Sequence, residues 1–145
     1  PLALAGFGIG GCLSLRFAAE DERVRGVATF STTAHLDEWC GNAKEFAAEV
    51  ARAGVVEKSH PLPPPQELRD GVVALDPRGA IAQVPPRRLL IGHGADDREV
   101  PVHNARDLFE AADEHAELRI IQGAGHWLRA DPRMVATLVG WMDRH

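Results

Sequence analysis

Two side chains of complementary chemistry stand just past two apolar runs. Leu89-Leu-Ile-Gly-His93-Gly-Ala-Asp96-Asp97-Arg-Glu-Val-Pro101 places a carboxylate after the first run. Leu118-Arg-Ile-Ile-Gln-Gly-Ala-Gly125-His126 places an imidazole after the second. An aspartate held against a histidine fixes the ring tautomer and stabilises its protonated form, which is the acid–base half of a catalytic triad. The segment with the glycines to present a nucleophile beside such a pair is Gly6-Phe-Gly8-Ile-Gly10-Gly11.

That segment has two chemical readings. As G-x-G-x-x-G (Gly6, Gly8, Gly11) between a strand and a helix, it matches a dinucleotide fingerprint, in which backbone and helix N-terminus approach a pyrophosphate. The fingerprint also needs an acid at the end of the next strand to hold the ribose. Ala28-Thr-Phe-Ser31 occupies that place, while Asp21 and Glu22 precede the strand and Asp37 lies beyond it. No nucleotide cofactor is predicted. As a nucleophile elbow, G-x-S-x-G, the strand-to-helix turn needs small residues where helix and strand come close. Gly6 and Gly10 take those flanking places and Gly8 stands where the serine would be. A tight structural turn is the plainer alternative. Of the serines Ser14, Ser31 and Ser59, Ser14 lies too far along the helix to serve, and Ser31, with Thr32 and Thr33, ends the second strand as pocket lining without elbow geometry; Cys12 reads as packing.

The elements that must position these residues follow from hydrophobic period. Strands are predicted at Pro1–Gly6, Val24–Phe30, Arg88–Gly92 and Glu117–Ile121. Helices are predicted at Gly10–Glu20 (apolar face Leu13, Phe17, Ala18), His35–Ala53, Gln66–Leu75, Asn104–His115 and Asp131–Arg144. The last opens with Asp131-Pro132, a cap acid followed by proline at the first helical position. Strands alternating with helices give an α/β protein, a mostly parallel sheet with helices on both faces. Sites in such sheets form beyond the carboxyl ends of the strands, where Gly6–Gly11, Ser31–Ala34, His93–Asp97 and Gly123–Trp127 all fall. The stretch from about 32 to 86, with Pro61-Leu-Pro-Pro-Pro65 inside it, reads as a small helical cap insertion in a single domain spanning 1–145.

The chain has 145 residues, 45% hydrophobic and 26% charged, which suits a packed core and excludes disorder. Sixteen basic against twenty-one acidic side chains give a net charge of −5, which argues against nucleic-acid and anionic-membrane partners. No apolar run approaches the roughly 20 residues of a membrane span. Two cysteines, Cys12 and Cys40, imply no disulfide scaffold and point to a reducing, cytoplasmic setting. Seven histidines show no compact ligand spacing, so no metal is predicted. His93, ending a strand, reads as a structural hydrogen-bonding residue and Trp39 as core. A strand buried on both faces at the very start of the chain predicts further chain upstream, and association through the open edge when the segment is alone.

Taken together, Leu4-Ala-Gly-Phe-Gly-Ile-Gly-Gly-Cys-Leu13, the His93–Pro101 stretch and Gly123-Ala-Gly-His126 resemble the α/β-hydrolase superfamily from its nucleophile strand onward. Bacterial esterase and serine-peptidase-like members with a modest cap are the nearest in pattern. The resemblance implies Asp97 as triad acid, with Asp96 as rival, His126 as base, and the Ile9 N–H as one oxyanion-hole donor. It implies small ester or amide substrates and no cofactor. The departure is Gly8, which puts no side chain at the nucleophile position. Three functions remain open: a hydrolase relative without ordinary serine turnover, a hydrolase using water activated by His126, and a non-catalytic ligand binder.

Overall fold

The computed structural model describes residues 2–54, 56 and 59–144. Pro1, Lys58 and His145 lie outside the described residues, so the expected start of the first strand at Pro1 is not among them. The chain divides into two units: Pro1–Ala34 with Asp76–His145, and His35–Leu75.

The first unit is built on four parallel strands in the order of the chain: β1 (Leu2–Phe7), β2 (Val24–Phe30), β3 (Arg88–Gly94) and β4 (Glu117–Ile121). Registers such as Ala5↔Ala28↔Leu90↔Glu117 run straight across the sheet. Alternation along β2 and β3 sorts two cores. Val27, Leu89 and Ile91 face helices α1 (Ile9–Glu20), α5 (Pro77–Ile81) and α6 (His103–Ala111) through Leu15, Ile81 and Leu108. Ala28, Phe30 and Leu90 face α7 (Pro132–Asp143) through Met134 and Trp141. Strands added in one direction by right-handed crossovers put their connecting helices on one face, leaving the other to the helix that follows the last strand. Full burial of a side chain such as Phe30 contributes about 2–3 kcal/mol.

The first strand is not buried on both faces as its composition suggests. It pairs with β2 alone at the sheet edge, so Leu2, Ala3, Ala5 and Phe7 are exposed. The apolar face expected for the first helix is also different. Gly11, Cys12, Leu15 and Ala18 are buried, while Leu13 and Phe17 point outward, half-exposed. On α7, Val135, Val139 and Met142 are exposed in the same way, and Trp141 carries the packing.

The second unit is helical, with α2 (Leu36–Cys40), α3 (Ala43–Arg52) and α4 (Pro65–Val73). The single helix predicted over 35–53 is broken at Gly41, whose φ of 55° suits glycine, and restarted by Asn42, whose side chain accepts from the Lys44 and Glu45 N–H groups. Arg69 of α4 donates to the Gly41 and Asp37 carbonyls and so ties α4 to that break. Trp39 is half-exposed, edge-on to Phe46, and not the core residue expected. Residues 76–86 belong to the first unit, so the second is narrower than the predicted insertion. No helix among the described residues is long and apolar enough to cross a membrane.

Candidate active site

The turn from β1 into α1 is set by its glycines. Gly8 has φ 55° and ψ −125° and serves as the N-cap of α1. Its N–H donates to the Phe30 carbonyl at 2.8 Å, and its carbonyl accepts from the Gly11 N–H and the Thr32 hydroxyl. A Cβ on Gly6 would collide with the Gly10 carbonyl, because the helix starts directly against the strand. A Cβ on Gly11 would collide with the Thr32 side chain. Gly10, expected to be the second close approach, has nothing within 4 Å of its Cβ position, so Gly11 holds that role instead. Gly8 likewise has nothing within 4 Å, which leaves room for a side chain or a small molecule there. Ile9 follows at the first helical position, where an N–H has no acceptor within the helix.

Asp97 and His126 meet at the same end of the sheet. The β3–α6 segment places Asp97 with its side chain wholly buried, and its Oδ2 accepts from His126 Nδ1 at 2.9 Å. Asp97 Oδ1 accepts the N–H groups of Glu99 and Val100 at 2.9 and 2.8 Å. Asp96 is exposed and makes its contact through its backbone, donating to the Ala124 carbonyl. With Nδ1 engaged by Asp97, Nε2 is the ring's remaining nitrogen. Glu99 Oε2 lies 3.6 Å from that nitrogen, beyond hydrogen-bonding length. Gly94 makes the meeting possible, since a Cβ there would collide with the carbonyls of Ala124 and Gly125 on the histidine segment.

Ser31 and Thr32, consecutive after β2, join the two halves. Ser31 Oγ donates to the His126 carbonyl at 2.8 Å, and Thr32 Oγ1 reaches the Gly8 carbonyl at 3.2 Å. Ser31 holds φ 50°, a strained value for a residue with a Cβ. Buried Asn104 anchors the next two residues, accepting from the Ala34 N–H and the Thr33 hydroxyl and donating to the Pro101 carbonyl. Ser31→Ala removes the bond to His126 and keeps the strain, so urea denaturation should show a loss of about 1–2 kcal/mol. Ser31→Gly relieves about 1 kcal/mol of strain and should lose measurably less; equal losses would place the cost elsewhere.

The structure thus brings Asp97 and His126 into contact and sets Gly8 and Ile9 at the same end of the sheet, tied in through Ser31 and Thr32. Sequence reading missed the anchoring roles of Ser31, Thr32 and Asn104 and the approach of Glu99 to His126. Their signal was weak: the run Ser31-Thr-Thr33 directly after an apolar strand. Trp127, 61% exposed, lies edge-on to His126 with the Arg129 guanidinium over its ring. Cys12 is fully buried and Cys40 is buried, with its thiol pKa pushed up by burial; neither is in a disulfide. Among the described residues, no group of three or more His, Cys, Asp or Glu side chains could hold a metal ion.

No family model matches the chain. No curated protein matches it either. Solved structures do. The esterase domain of a Rhodothermus marinus protein matches with a TM-score of 0.68 at 21% identity, over 99% of this chain and 61% of its own. TT1662 of Thermus thermophilus matches at 0.67 and 24% identity, over 99% and 54%. The α/β hydrolase GrgF of a Penicillium species matches at 0.64 and 20% identity, over 99% and 63%. The chain therefore has the α/β-hydrolase fold, and it spans a little over half the length of these structures.

Proposed function

We propose that the chain carries the acid–base pair of a hydrolase of esterase or peptidase-like ancestry, with Asp97 as acid and His126 as base, and no serine at the nucleophile position. The observation that carries this reading is the 2.9 Å contact between buried Asp97 and His126 at the sheet end where Gly8 turns into α1. Gly8 stands in the elbow place, and the Ile9 N–H is one donor for an oxyanion. With no hydroxyl at position 8, an acyl-enzyme cannot form there, so ordinary serine turnover is not this site's chemistry.

The open space at Gly8 supports a second reading, in which a water takes that place. His126 Nε2 accepts a proton from the water as its oxygen attacks the carbonyl carbon. The same proton then passes to the leaving alcohol or amine, so ester and water give acid and alcohol. The test is hydrolysis of an activated acetyl ester by the intact protein and by His126→Ala, alongside labelling with a fluorophosphonate. No label and equal background hydrolysis fit the first reading. Hydrolysis that falls with His126→Ala selects the second. A label on any serine, with turnover, overturns both.

A further inference from the structure

We infer that His93 is a positioning residue for the Asp97–His126 pair, holding the Asp97 carboxylate so that Oδ2 faces His126. The inference rests on the reading of Asp97 and His126 given above, and deepens it by assigning the residue that orients the acid.

His93 is the penultimate residue of β3 and is fully buried. Its Nε2 lies 2.8 Å from the Val100 carbonyl oxygen. A carbonyl only accepts, so Nε2 carries the hydrogen and the ring is the Nε2–H tautomer. Asp97 Oδ2 lies 3.3 Å from the same nitrogen, so the N–H that bonds the carbonyl also presents its positive end to the carboxylate. The other nitrogen, Nδ1, is buried without a partner. A second proton there would have no acceptor, and burial accordingly pushes this imidazole's pKa below the ordinary histidine value.

The carboxylate is then fixed from three directions. Oδ1 takes the two backbone N–H groups of the following turn, while Oδ2 takes the His126 N–H and faces His93 Nε2 at 3.3 Å. Without His93 nothing from β3 itself faces Oδ2, and its alignment is left to the two turn N–H groups and His126. The Val100 carbonyl loses its donor in the same change.

The experiment is imidazole NMR on the intact protein, which needs no turnover. In the unaltered protein at neutral pH, ¹⁵N correlations should show His93 as the Nε2–H tautomer, and a low-field proton should mark His126 Nδ1–H. His93 found as the Nδ1–H tautomer or as imidazolium overturns the inference without any variant. His93→Gln, whose amide N–H reaches the same place, should keep the low-field proton. His93→Phe, which keeps the ring but no donor, should lose it to exchange. A folded His93→Phe protein with that proton unmoved makes His93 a strut for the Val100 turn and overturns the inference. Loss in both variants also counts against it, because a donor alone then does not suffice. The ester assay above tests the Asp97–His126 reading separately, so failure of one is distinguishable from failure of the other.

Discussion

Gly8→Ser in the intact protein is expected to raise hydrolysis of an activated ester by about 10³-fold or more, with the gain abolished by adding His126→Ala. On the proposed reading the turn suits a nucleophile: φ is 55°, ψ is −125°, and no atom outside Phe7 and Ile9 lies within 4 Å of the added Cβ. On that same reading, His126 held by Asp97 would serve the hydroxyl as base, and the Ile9 N–H at the start of α1 would be an oxyanion donor. The cost falls on stability. A residue with a Cβ held at positive φ costs about 1–3 kcal/mol, readable as a lower urea midpoint with an unchanged slope. Those angles alone do not define an elbow, because Gly41 has φ 55° and ψ −130° between two helices of the second unit. What distinguishes Gly8 is its place after β1, with Gly6 pressed against the helix start. A folded Gly8→Ser protein that neither turns over nor takes the fluorophosphonate label would reduce Gly8 to a tight turn.

Gly94→Ala is expected to be the most damaging single-carbon change at the site, costing about 3 kcal/mol. The added carbon meets the Ala124 and Gly125 carbonyls, which are backbone and cannot rotate aside as a side chain would. Two backbone bonds cross at the same place, from Ala95 to Ile121 and from Asp96 to Ala124. Relief of the clash therefore pulls the histidine segment off the acid segment. Chemical denaturation should show the loss in stability, and the low-field His126 proton should weaken with it. An unchanged midpoint would mean the two segments slide apart without strain. Gly10→Ala serves as the control, since nothing lies near its Cβ position.

Strand positions were legible because a parallel sheet writes itself as short apolar runs; Val24–Phe30 and Glu117–Ile121 fall where the pattern places them. The helix over 35–53 failed because its apolar spacing continues across Gly41-Asn42, and spacing does not register a stop and a new cap. The short helix α5 was missed although Asp76-Pro77 is the same start signal as Asp131-Pro132, with the Asp76 side chain accepting from the Gly79 N–H. On α1 the pattern chose Leu13 and Phe17, but the face toward the sheet is set by the close approach of Gly11 and buries Cys12 and Leu15. Asp97 and His126 could be named because each follows a strand and parallel topology delivers the carboxyl ends of strands to one end of the sheet. Ser31 could not, because its bond is to a backbone carbonyl, and a backbone carbonyl leaves no mark in a sequence.

The unbroken strand order gives each crossover its own tolerance for length. Every strand pairs with the one made just before it, so the chain closes three successive loops: Leu2 to Val24, Gly26 to Arg88, and Leu90 to Glu117. Even treated as flexible chain, the long middle closure costs only about 1 kcal/mol more than the first. Chain-closure entropy thus sets little limit on insertions within residues 35–75, whereas Ser31–Ala34 and α5, in the same crossover, are held by the bonds and core packing of the first unit. After β3 the constraint reverses. Gly94 meets two carbonyls within its van der Waals shell, so the same lineage has almost no freedom there to add even a methyl group.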